Sequence, residues 1–109
     1  MKNYSLGEFE ELVLLVTAAS EGEAYGVSIR ENLIGKLKKN VNISAVHVSL
    51  KRLEDKGFIK SEFGGITGER GGRRKKFYTI TGLGKRVLDT QYELRTSLYK
   101  NIPKLSASR

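Results

Sequence analysis

The chain has 109 residues, no cysteine, a single histidine and a net charge of +8. That length fits one small domain, which buries a smaller fraction of its surface than a large one, so a partner subunit would add stability. The missing thiols exclude disulfides and thiolate metal sites, and His47 alone cannot build a metal cluster or a histidine-based catalytic relay.

No apolar run approaches the ~20 residues of a membrane span and no signal-peptide core is present, so the reading is a soluble, cytoplasmic chain with no membrane partner. The charge is unevenly spread. Residues 1–34 carry two basic residues (Lys2, Arg30) and six acidic ones, a net of −4, whereas residues 35–109 carry eighteen and six, a net of +12. Such segregation points one face at a polyanion.

In chain order, Ser5 and Glu8 have capping-box spacing and start a first helix from about Leu6 to Ala19, its stripe formed by Phe9, Leu12, Val13, Val16 and Ala19 with Glu10 and Glu11 outside it. A second helix begins near Ala24, carries Tyr25, Ile29 and Leu33 at helical spacing, and ends either at Gly35 or a turn later. Ser44 is expected to cap a third helix with Val46, Leu50 and Leu53 inward and Gly57 as its left-handed stop. Its outer surface is then short-chained at Ala45, His47 and Val48 and basic at Lys51 and Arg52.

Phe58–Phe63 and Phe77–Ile80 read as strands, with Gly64, Gly65, Gly68, Gly71 and Gly72 between them suiting a long hairpin tip. Arg70, Arg73, Arg74, Lys75 and Lys76 make that hairpin a cationic wing for phosphates or the minor groove. By strand alternation Arg73 and Lys75 share one face, Arg74 and Lys76 the other. A fourth helix from about Gly82 to Pro103 repeats Leu83, Val87, Leu88, Leu94, Leu98, Tyr99 and Ile102 on one apolar face. Some twenty residues make a rod about 30 Å long. That is too long and apolar to lie bare, so a second copy is expected to cover it, the competing reading being that it folds back on its own core.

The expected fold is mainly α (α+β): a winged helix-turn-helix of three helices and a two-stranded wing over 1–81, a C-terminal dimerisation helix over 82–103, and a disordered tail over 104–109. Glycine-rich residues 64–68 follow a strand without opening a helix, so they fail the context of a phosphate loop, and no nucleophile–base pair or pair of carboxylates at useful spacing stands out. We read no enzyme and no cofactor.

Leu6–Glu10 through Leu15, Ala24-Tyr25-Gly26-Val27, Ser44 through Ile59, and Gly71 through Thr81 together resemble the PadR family of bacterial transcriptional regulators, in order and at compatible spacing. The short tail is similar to the smaller subfamily, in which one C-terminal helix supplies most of the dimer interface. The resemblance implies a DNA-binding repressor acting as a homodimer on an inverted-repeat operator, and release by a small, often aromatic, effector bound at the dimer interface, where Tyr92 and Tyr99 are the candidate lining. By the winged-helix reading Ala45, His47 and Val48 meet base edges, and Ser44, Lys51 and Arg52 meet bases or phosphates. The family commonly carries a tyrosine followed by proline or a small residue where this chain has His47 and Val48. The alternative is a basic winged-helix module that binds RNA or a protein partner without operator specificity.

Overall fold

A computed structural model describes residues 6–64 and 75–104. The chain order is α1 (Glu8–Ala19), α2 (Gly26–Leu37), α3 (Ile43–Asp55), β1 (Ile59–Phe63), β2 (Lys76–Ile80) and α4 (Gly82–Lys100). This is the winged helix-turn-helix with an added C-terminal helix read from the sequence. The apolar faces of α1, α2 and α3 close on one another through Val13, Leu14, Ile29, Leu33, Val46, Leu50 and Leu53, each at most 2% exposed. Burying each such large aliphatic side chain contributes about 1.5–3 kcal/mol relative to exposure. Phe58, fully buried, and Ile59 extend that core beneath the hairpin.

β1 and β2 pair antiparallel with Ile59 opposite Ile80 and Ser61 opposite Tyr78. One residue of the loop before α2 joins this sheet: the carbonyl of Ala24 accepts the Tyr78 N–H at 2.8 Å in a single antiparallel bridge. The connection between the strands, residues 65–74, lies outside the described residues. So do Arg70, Arg73 and Arg74, Ser5, and all of the expected tail except Lys104.

Several local expectations are corrected. Gly7, not Ser5, precedes the first turn of α1, and its N–H donates to the Glu10 carboxylate at 3.1 Å. Glu10 is therefore not outside the helix stripe but 7% exposed, while Ala19, expected in the stripe, faces solvent. α2 begins at Gly26 rather than Ala24, passes through Gly35 and stops at Lys38, a residue in the left-handed region at φ 59°. Asn42 caps α3 by accepting the Ser44 N–H at 2.7 Å, so Ser44 is a first-turn residue and not the cap. Gly57 is the left-handed stop expected, at φ 83°.

α4 is anchored by its first turns. Thr81 accepts the Gly84 N–H at 3.1 Å and donates to the Gly57 carbonyl at 2.7 Å. Gly84 then lies directly on the backbone of Phe58, where a Cβ would run into the carbonyl oxygen. Leu88 is 7% exposed within the common core, so it is not on a face free for a second copy. Leu83 and Val87 pack half-buried against the same core. The first turns of α4 thus fold back on the chain's own core, the competing reading of the tail, while Leu94, Leu98 and Tyr99 stay exposed.

Candidate nucleic-acid interface

The inward residues of α3 leave Ser44, Ala45, His47, Val48, Lys51, Arg52 and Asp55 exposed. The six residues of this helix that the sequence assigned to base or phosphate contact therefore all lie on its outer surface. Val48, at 49%, is a half-exposed apolar side chain with no core role. The two basic residues further along are not free of partners. Lys51 Nζ is 3.0 Å from Asp55 Oδ1, and Arg52 Nη1 is 3.9 Å from Glu10 Oε2.

Glu10 ties two helices, α1 and α3, together. Its Oε1 also takes Lys56 Nζ at 3.0 Å, so a single carboxylate at the start of α1 holds Lys56, just past the end of α3. Burial alone would push the Glu10 carboxyl upward. The Lys56 hydrogen bond, the Gly7 N–H and the charges of Lys56 and Arg52 together outweigh it and hold the group below the usual carboxylate value. The end of the outward helix is thereby pinned to α1 by charge as well as by packing.

The base of the wing is fixed by aromatic contacts. Lys75 Nζ stands 4.3 Å above the ring of Tyr25, which meets Phe77 edge-on at 5.7 Å. Lys76 lies on the opposite face, 6.0 Å from the Phe63 ring and 5.8 Å from that of Tyr78. These are cation–π distances, and they keep both ammonium groups exposed at defined places. The alternation of Lys75 and Lys76 across the strand is the one expected.

Helix and wing meet across a shallow concavity lined by Tyr25, Gly26, Val27, His47, Lys75 and Lys76. Val27, 48% exposed at the start of α2, was not among the residues assigned from sequence. Its only signal was its place beside Tyr25-Gly26, because neither periodicity nor charge marks it. Among the described residues no group of acidic, histidine or cysteine side chains could hold a metal ion.

A family model, the transcriptional regulator PadR-like family, matches residues 14–90, which includes all of α2, α3 and both strands. The chain belongs to the PadR-like family. It is accordingly a DNA-binding transcription regulator and not an enzyme. Solved structures share the fold of this PadR-like chain. A PadR-like transcription factor from Bacteroides fragilis superposes with a TM-score of 0.72 at 19% identity, over 86% of this chain and 85% of that one. A PadR family transcription regulator from Clostridium difficile does so with a TM-score of 0.67 at 23% identity, over 84% and 92%. RosR of H. salinarum gives 0.67 at 20% identity, over 95% and 84%. No curated protein sequence matches the chain.

The far half of α4 in this PadR-like chain differs from its anchored half. Tyr92, Leu94, Leu98 and Tyr99, with Ile102 just past the helix, which ends at Lys100 and not at the expected Pro103, are between 53% and 73% exposed. Tyr92 and Tyr99, the candidate effector residues, line an open groove with Arg95, Thr96, Leu98 and Ile102 along one side of the helix. One chain alone does not enclose it. None of the described helices is long and apolar enough to cross a membrane.

Proposed function

We propose that the chain is a repressor that binds an inverted-repeat operator as a homodimer, with α3 in the major groove and the wing on the adjacent backbone. The observation that carries this reading is the concavity in which His47 of α3, Val27 of α2 and Lys75 of the wing face the same side. A helix fits the major groove, where each base pair displays a distinct pattern of donors and acceptors. Ala45, His47 and Val48 meet base edges there, and Ser44, Lys51 and Arg52 meet bases or phosphates. Lys75 and Lys76, with Arg70, Arg73 and Arg74 of the wing, supply backbone contacts that hold all sequences alike.

The exposed apolar length of α4 supports the homodimer, since a monomer rarely leaves so continuous an apolar strip in water. Two copies would bury Leu94, Leu98, Tyr99 and Ile102 against each other. The groove beside Tyr92 and Tyr99 would then close into a pocket suited to a small aromatic effector that releases the DNA.

Selection of bound duplexes from a random pool by the purified chain tests the reading. Enrichment of an inverted repeat with half-sites about one helical turn, roughly 34 Å, apart is expected. With six to ten phosphate contacts, affinity should fall about 10³- to 10⁵-fold between 50 and 200 mM salt. A monomeric chain that prefers RNA, or a pool that yields no enriched sequence, would instead favour the basic module without operator specificity.

A further inference from the structure

The imidazole of His47 lies against the backbone of Gly26. A side chain there would place its Cβ 2.6 Å from Cε1 and 3.2 Å from Nε2 of the ring. Carbon atoms in contact sit at about 3.5–4.0 Å. Any residue other than glycine therefore displaces either the ring or the start of α2.

Which of the two yields is decided by what holds each. The backbone on the α2 side is tied down at consecutive residues. The Ala24 carbonyl accepts the Tyr78 N–H at 2.8 Å. The Tyr25 N–H donates to Ser28 Oγ at 3.0 Å, and the Tyr25 ring is packed by Lys75 and Phe77. His47 has an exposed side chain on a helix surface, with several rotamers open to it. The ring is the part that moves. Gly26 is not needed for backbone reasons: Gly22 and Gly57 are the described glycines at positive φ, and Gly26 occupies the first position of α2, where alanine is a better helix former.

We infer that Gly26 is a positioning residue for site recognition: by carrying no side chain it sets the orientation in which His47 is presented to a base edge, in fixed register with Lys75 of the wing. This rests on the proposed role of His47 in reading bases. The glycine touches no DNA in this scheme and acts only through the ring.

The test joins a measurement on the free protein to a double-mutant cycle in the full chain. Because His47 is the single histidine, its Cε1–H resonance is unambiguous. It should show an Overhauser contact with the Gly26 α protons, and the resonance should move in Gly26→Ala. The binding probe is a duplex recovered by selection with the unmodified chain, against a scrambled duplex of equal composition. Gly26→Ala should keep the thermal transition and the affinity for the scrambled duplex, yet lower the ratio between the two duplexes about tenfold, the order of one lost base contact. His47→Ala should lower it similarly, and adding Gly26→Ala to His47→Ala should cost nothing further.

An absent Overhauser contact overturns the inference. So does a Gly26→Ala protein that loses its transition, because then the backbone has yielded and not the ring. A ratio unchanged in Gly26→Ala but reduced in His47→Ala, or a further loss on the His47→Ala background, also overturns it. If His47→Ala leaves the ratio unchanged while the Overhauser contact is present, the base-reading role of His47 fails, and the positioning role with it.

Discussion

The two halves of α4 share one apolar stripe and have opposite surroundings. In the first half Gly84 and Leu88 are buried and Leu83 and Val87 rest on the core of the same chain. In the second, Tyr92, Leu98 and Tyr99 are 71%, 59% and 73% exposed. The helix begins at a fixed point, Thr81, and its nineteen residues extend about 28 Å. Its last described tie to the domain is Arg95 to Glu11 at 3.0 Å. Apolar periodicity shows that a face requires cover. What provides the cover depends on distance from the anchor.

The largest effect that would test this contrast is on stability. Leu88→Ala should lower the unfolding free energy by about 2–5 kcal/mol, the range for large-to-small changes in a core, read by thermal or urea unfolding. Next, Leu98→Arg should leave the far-ultraviolet circular dichroism intact and shift the mass measured by sedimentation from twice 12.2 kDa to 12.2 kDa. A Leu88→Ala protein as stable as its parent would erase the distinction from one side. An unchanged mass in Leu98→Arg would erase it from the other, because that face would then not be where copies meet.

The same contrast explains what was legible in the sequence. The inward residues of α3 and the Gly57 stop were readable because they depend on spacing and on a backbone conformation that glycine alone adopts cheaply. The cap was not, since Asn42 and Ser44 are both good cap residues two positions apart, and the choice depends on where the incoming chain turns. Glu10 was misplaced because helix periodicity assigns carboxylates outward. Its burial is made tolerable by Lys56, 46 residues away, which no local pattern reveals. Gly26 against His47 is likewise a contact across 21 residues, visible only once α2 and α3 are packed. The basic character of the wing was plain, whereas the aromatic seats that hold Lys75 and Lys76 required the strand register and the placement of Tyr25.

Glu10 supplies the prediction of intermediate size. Glu10→Gln retains an acceptor for the Gly7 N–H and loses the charge that pairs with Lys56, so stability should fall by about 1–2 kcal/mol, less than for a wholly buried pair because Lys56 is 32% exposed. The sign of the pH dependence follows from the lowered folded-state value. The contribution is complete above the ordinary carboxylate value of 4.5 and is lost as the pH falls below it through the folded-state value. Unfolding curves of the parent and Glu10→Gln should therefore differ at neutral pH and converge in acid. A constant difference down to strongly acidic pH would assign the effect to packing and not to charge.

The smallest effect separates the two faces most directly, because α3 and α4 carry the same device. Lys51 pairs with Asp55 at 3.0 Å and Lys85 with Asp89 at 2.8 Å, both four residues apart and both exposed. Such pairs contribute about 0.3–0.5 kcal/mol, so Asp55→Asn and Asp89→Asn should be nearly silent in unfolding experiments. Their effects on DNA should diverge. Removing Asp55 deletes a negative charge from the exposed surface of α3 and releases Lys51, which should raise affinity for any duplex about two- to fivefold at low salt and fade as salt screens it. Asp89 lies on α4, which carries none of the residues assigned to DNA, and its removal should change binding little. Equal gains from both substitutions would mean that net charge alone governs binding, and that α3 holds no privileged place in it.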